Sequence, residues 1–266
     1  MKIWMLGSGS RGNAVLLENA GSRVLIDAGF SPRVLAQRLA EIGVAGESIE
    51  AAVITHEHTD HIRGACAGAK RWGWELYASA GTAAACPALS DRGVRIFSTG
   101  ATIELREVTL RSIATPHDAA EPVAFVATAR RSGMRAGIAY DMGRATGEMR
   151  AALVDLDILV LEANHDEGML HGGPYPRSVR TRIAGPSGHL SNRAAADLAS
   201  TCAHRGLRQV VLAHLSQICN DPAVATAAVR TALQRTVFRG RVVPAHQDYV
   251  VGPFTGGAGQ QLSLGL

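Results

Sequence analysis

Short apolar runs separated by glycine-, serine- and asparagine-rich turns fill the first third of the chain. The runs at 2–6, 14–18 and 23–27 predict three strands of a β-meander. A helix is predicted over 31–43, with Ser31 as its cap and Pro32 in its first turn. Ala51-Ala52-Val53-Ile54 predicts a buried strand. Helices over 61–72 and 81–86 flank a strand at 75–78, and strands follow near 94–97, 102–105 and 107–115. The second half repeats the scheme, with strands near 122–128 and 135–140, a helix near 145–153 and a strand over 157–161. A strand over 209–212 then lies between helices over 191–204 and 221–233. No linker separates the halves, so residues 1–254 read as one domain and the Gly/Gln/Ser-rich 255–266 as a flexible tail. By itself this pattern supports a layered α+β mixture.

The polar positions that interrupt the pattern carry the chemistry. His56-Glu57-His58-Thr59-Asp60-His61 directly follows the strand at 51–54 and places four candidate metal ligands within six residues. In an extended turn, positions i and i+2 point the same way, so His56 and His58 can grip one ion. Asp60 and His61 stand where the next helix begins and face a second. Imidazole with carboxylate and no thiolate suits zinc, with manganese or iron as alternatives. His117, Asp141 and His214 each stand at the end of a predicted strand. Any one of them alone reads as a hydrogen-bonded turn residue, but loops at one sheet edge can bring distant ligands together.

The spacing His56-x-His58-x-Asp60-His61 after a strand resembles the metallo-β-lactamase superfamily. Gly7-Ser8-Gly9-Ser10-Arg11-Gly12-Asn13, Asn164-His165-Asp166 and Gly188-His189-Leu190-Ser191-Asn192 resemble its WalJ/YycJ-like branch of DNA exonucleases or phosphodiesterases. The resemblance implies a four-layer αββα sandwich, two mixed β-sheets flanked by helices. It implies two divalent ions, one held by His56, His58 and His117 and the other by Asp60, His61 and His214. Asp141 would bridge them, with a metal-bridging hydroxide as nucleophile, which also counts Asp60 in the catalytic set. Two such ions, two carboxylates and one hydroxide leave a net positive charge that favours an anion and the charge building on phosphorus. A carboxylate at the bridging position, where many lactamases use a thiol, points away from antibiotic hydrolysis.

Leu161-Glu162-Ala163-Asn164, the segment around His189 and Ala213-His214-Leu215-Ser216 resemble the tRNA 3′-processing phosphodiesterases. That likeness implies that Glu162 orients His189 to protonate the leaving oxygen. Asp141 and His214 lie only 73 residues apart, too few for the large cap domain of some nucleic-acid-processing relatives, so an open site is expected. The expected activity is a 5′-to-3′ exonuclease on single-stranded DNA. The rivals are a small-molecule metallo-hydrolase (thioester, lactone or cyclic nucleotide) and a metal-stabilised nucleic-acid-binding protein without catalysis.

Several residues admit a plainer reading. His189 equally suits a turn before a Ser191 helix cap, and Glu162 a solvated strand end. His165 and Asp166 are candidates for a further acid, base or substrate contact. Arg177, Arg180, Arg182 and Arg193 surround His189 and are either phosphate-binding forks or a solvated helical face. Ser8 and Asn13 belong to a loop that either brings backbone N–H groups to a phosphate or simply turns a hairpin. Glu57 orients a neighbouring ligand or faces solvent, and His171, His204 and His246 read as structural or surface residues.

Composition changes the picture little. The 266 residues are 47% hydrophobic and 19% charged, with a net charge of +4 that hints at a polyanionic partner. Cys66, Cys86, Cys202 and Cys219 are scattered and read as reduced thiols. No apolar run approaches the ~18 residues of a membrane span. The start is too short for a signal peptide. A cytoplasmic location, no membrane partner and single-stranded DNA as the nucleic-acid partner are therefore expected, with the oligomeric state left open.

Overall fold

In a computed structural model that describes residues 1–256, these runs form two mixed seven-stranded sheets. β1 (Lys2–Gly7), β2 (Ala14–Asn19) and β3 (Ser22–Ile26) make the expected meander. α1 (Pro32–Glu41) leads to β4 (Ala51–Val53), and α2 (Thr59–Ile62) with α3 (Ala65–Trp72) leads to β5 (Glu75–Ser79). α4 (Ala80–Ala85) and α5 (Pro87–Ser90) precede β6 (Arg95–Phe97). The second meander is β7 (Thr102–Glu104), β8 (Val108–Ala114), β9 (Val123–Ala129) and β10 (Arg135–Ala139). α6 (Gly147–Ala152) follows, then β11 (Ile158–Glu162), α7 (Glu167–Gly172), α8 (Arg177–Ile183), α9 (Asn192–Thr201) and β12 (Gln209–Ala213). α10 (Pro222–Leu233) and β13 (Arg241–Pro244) precede β14 (Val251–Thr255), which returns to pair antiparallel with β1.

The sheet orders are β14-β1-β2-β3-β4-β5-β6 and β13-β12-β11-β10-β9-β8-β7. In each sheet an antiparallel meander passes into parallel strands. Strand parity explains the layering, since alternate side chains point to opposite faces. Ile3, Met5, Val15 and Leu17 meet Ile138, Val160 and Val211 in the apolar layer between the sheets. Trp4, Leu6, Leu16 and Leu25 pack outward with Leu35 and Leu39 of α1 and Trp72 of α3. Leu159, Leu161, Val210 and Leu212 pack outward with α6, α9 and α10. The strands are apolar in both parities because both faces are covered. The architecture is the αββα sandwich.

Several boundaries differ from the sequence expectation. The helix over 61–72 is split after Ile62, because the Gly64 N–H donates to the Ala28 carbonyl, 2.7 Å away, which pins the chain to the loop after β3. Any β-carbon on Gly64 would lie 1.9 Å from the Phe30 carbonyl oxygen, so glycine is required there. α5, α7, α8, β13 and β14 were not anticipated; all are short and carry weak periodicity. Thr255, placed in the tail by composition, ends β14 and pairs with Lys2; the rest of that expected tail from 257 lies outside the described residues. All four thiols are free. Among the described residues, no helix is long and apolar enough to cross a membrane.

Candidate metal centre

The ends of the parallel strands of both sheets meet at one edge, and the candidate ligands stand there. His56 follows β4, Asp141 follows β10 and His214 follows β12. His117 comes from the loop after β8. Asp27, Asp141 and His214 adopt left-handed φ angles of 60°, 54° and 52°, rare for residues with a β-carbon. Such strain persists only where packing over-determines it and is common at functional sites.

These residues converge into overlapping groups whose ligand atoms lie within 4.8 Å of one another: His56 with His58 and His117, Asp60 with His61 and His214, and His56 with His61 and Asp141. Asp141 belongs to two groups, one with His56 and His61 and one with Glu162, His189 and His214. Its Oδ2 lies 2.8 Å from His61 Nε2, and its Oδ1 lies 3.0 Å from His214 Nδ1. All seven residues singled out as candidate ligands are therefore brought together.

Hydrogen bonds on the outer nitrogens fix which ring atoms face inward. His117 Nδ1 donates to the Gly188 carbonyl at 3.1 Å, leaving Nε2 with a lone pair. His61 Nδ1 donates to Asp27 Oδ2 at 2.7 Å, which frees its Nε2. Thr55 Oγ1 donates to Asp27 and accepts from His56 Nδ1 at 3.0 Å. His56 Nε2, Asp141 Oδ2 and His214 Nε2 are then buried without any hydrogen-bond partner. A buried polar atom without a partner is costly, and cations held within these groups would satisfy them. The donor set of imidazoles and carboxylates fits divalent metal ions.

The electrostatics agree. Burial opposes charge on His61, yet Asp141 and Asp27 raise it well above the ordinary imidazole value. Burial likewise opposes charge on His214, and Asp141 raises it. Burial would raise Asp141, but the charges of His214 and His61 hold it well below the usual carboxylate range. The buried carboxylates thus demand positive charge at this point, which divalent cations would supply by displacing protons.

Asp27 was missed by sequence reading. It is fully buried and accepts from the Thr55 N–H (2.8 Å), Thr55 Oγ1 (2.8 Å), His61 Nδ1 (2.7 Å) and the Tyr140 hydroxyl (2.8 Å). The signal was available: an acid ends an apolar strand ahead of Ala28-Gly29, the same rule that singled out Asp141. Outer carboxylates of this kind orient ligating histidines and raise their basicity. Asp27→Asn is expected to weaken metal binding by about 10- to 100-fold, measured by competition with a chromogenic chelator. Affinity within twofold of the parent would refute that role.

Beside the bridging position, His189 Nδ1 lies 2.7 Å from Glu162 Oε1 and 3.2 Å from Asp141 Oδ1. Glu162 is fully buried, and its Oε2 accepts the N–H groups of Met142 (2.9 Å) and Leu190 (3.2 Å), so it cannot swing away. Burial would raise Glu162, but the charge of His189 and hydrogen bonds hold it at about 2. Burial would lower His189, but Glu162 and Asp141 raise it to about 9.

The remaining candidates fall elsewhere. Ser8 and Asn13 are buried with their side chains turned onto the ligands rather than toward a substrate. Asn13 Nδ2 donates to Asp60 Oδ2 at 3.2 Å, and Ser8 Oγ accepts the His214 N–H at 2.8 Å. Asp166 caps α7, accepting the Met169 N–H at 2.9 Å. Glu57 accepts the Ala120 N–H at 2.7 Å, which secures the loop carrying His117. His165 lies outside the ligand groups and lines an adjoining cavity with Arg177, Arg180 and His171. Arg182 reaches Asp118 at 3.6 Å, while Arg193 is exposed in the first turn of α9 and does not line that cavity.

The family model described as Beta-lactamase superfamily domain matches residues 22–215, most of the chain. The chain belongs to this superfamily. Exodeoxyribonuclease WalJ of Streptococcus pneumoniae is 32% identical over 222 residues, covering 81% of this chain and 82% of that protein. Exodeoxyribonuclease YycJ of Bacillus anthracis is 28% identical over 239 residues, covering 88% and 89%. Among solved structures, the metallo-beta-lactamase fold protein YhfI from Bacillus subtilis superposes with a TM-score of 0.70 at 17% identity, covering 94% of this chain and 99% of that one. That likeness shows the shared fold. As a member of the superfamily's WalJ/YycJ-like branch, the chain is a metal-dependent hydrolase.

Proposed function

We propose that the chain is a dinuclear phosphodiesterase that acts as a 5′-to-3′ exonuclease on single-stranded DNA, with zinc as the first-choice metal. The observation that carries the reading is the 2.7 Å pair of Glu162 and His189 beside Asp141. Nδ1 of His189 is committed to Glu162, so Nε2 is the nitrogen that can serve a substrate. The side chain is about 20% exposed, open enough to reach one. An alkoxide leaves poorly without a proton, and a histidine held protonated by a buried carboxylate supplies it. Glu162 keeps the ring in that tautomer and stabilises its charged form. When bound, two divalent ions supply an activated water and offset the charge that builds on phosphorus. The preference for DNA and the polarity are drawn from the two relatives named exodeoxyribonucleases and from the branch resemblance.

Oligonucleotides labelled at either end, incubated with zinc or manganese and with or without chelator, test this reading. The expected products are mononucleotides released first from the 5′ end, and only in the metal-containing arm. Equal products in both arms, or faster turnover of thioesters or lactones than of DNA, would reject it.

A further inference from the structure

We propose that the cavity beside His189 receives the nucleoside on the leaving-oxygen side of the scissile bond, an inference that rests on the phosphodiesterase reading. The cavity measures about 400 Å³, inside the ~300–1,000 Å³ range of small-molecule sites. It lies between α7 and α8, and both walls are bonded to the segment that carries His189. The His189 N–H donates to the Ile183 carbonyl of α8 at 2.8 Å. On the other side, the Asn192 N–H donates to the His165 carbonyl at 2.8 Å, so the segment 189–192 is clamped between the two walls. Gly188 makes the approach tight: a β-carbon there would lie 2.2 Å from the Arg182 carbonyl oxygen. The segment that carries His189 is therefore fixed to both walls of the cavity.

The lining selects the ligand class. Leu170 and Ala184 give an apolar surface, while Arg177 and Arg180 stand one helical turn apart on α8. Neither arginine is in an ion pair among the described residues, although Arg180 donates to the His171 carbonyl. Glu167 also lines the cavity and accepts from Ser191 Oγ at 3.0 Å. His165 is 2% exposed, and its buried Nδ1 has no hydrogen-bond partner. A site for a bare anion would not include a carboxylate. Apolar surface, stacking guanidinium planes, one acceptor carboxylate and an unpartnered imidazole together match a base and sugar with an attached phosphate. None of the seven residues of α8 is buried. The helix therefore serves as a wall of this cavity more than as part of the core.

The test compares three single-stranded oligonucleotides on the metal-loaded enzyme: unmodified, abasic at the leaving nucleotide, and abasic one position further in. An abasic leaving nucleotide is expected to lower kcat/KM about tenfold, and the inner abasic site much less. Thr181→Trp, which fills the cavity from an exposed position of α8, should bring the unmodified strand down to the level of the abasic one. Should that variant lose its circular dichroism spectrum, Ala184→Leu makes the same test. Cleavage of the unmodified strand without any abasic penalty would overturn this proposal alone, as would an abasic penalty that survives in the filled variant. No metal-dependent cleavage of the unmodified strand would overturn the phosphodiesterase reading and this one with it.

Discussion

Asp141→Ala should lower kcat on single-stranded DNA by at least about 10³-fold and strip the protein of part of its metal. Three facts set this expectation. Asp141 stands in two of the ligand groups, it is buried, and its Oδ2 faces His61 Nε2 at 2.8 Å. Removing it leaves His61 and His214 without the carboxylate that raises them both. Two imidazoles without their shared carboxylate offer a cation less compensating negative charge, so the damage goes beyond one lost bond. Asp141→Asn separates charge from shape, since the amide fills the same space. Its activity should stay within about tenfold of the alanine variant if charge is what matters. Elemental analysis by mass spectrometry, run beside the kinetics, reads the metal content of each variant. Full metal loading with parental kcat in either variant would remove the bridging role.

His189→Ala should cost about 10²- to 10⁴-fold on DNA, the usual worth of a positioned general acid. The same substitution should cost far less on an aryl phosphodiester whose phenolate leaves without a proton. That contrast isolates proton donation from binding, because a lost contact would weaken both substrates alike. Glu162→Gln removes the charge that raises His189, and its amide can accept from Nδ1 only by turning its NH2 onto the Met142 and Leu190 N–H groups. It should fall between the parent and His189→Ala on DNA. The double variant should be no worse than His189→Ala alone, since residues acting as one unit are not additive. Additive losses, or equal losses on both substrates, would show that the pair at 2.7 Å is structural.

The fold and the candidate metal turn were legible for different reasons. The central strands were legible because short runs such as β11 and β12 are apolar at nearly every position, which suits a sheet covered on both faces. The six-residue motif after β4 read as a metal turn because imidazoles and carboxylates are rarely so dense without an ion to hold. Short elements escaped notice. α7 and α8 have 6 and 7 residues and almost nothing buried, so no apolar period marks them. The break before α3 comes from a single backbone contact, Gly64 to Ala28, that no local propensity encodes.

The amino-acid sequence alone determined which residue types stand at strand ends, and thereby the ligand chemistry and the layered architecture. Tertiary structure decided where side chains at turns point, because those directions depend on partners far along the chain. Ser8 meets the His214 backbone across 206 positions, and Tyr140 reaches Asp27 across 113. Ser8 and Asn13 therefore bond to candidate ligands, Asp27 anchors the candidate centre, and His165 turns into the wall of a cavity. Strand periodicity is a local property of the backbone and survives in the sequence. Convergence at a sheet edge arises only once two sheets have packed, and packing is where these roles were assigned.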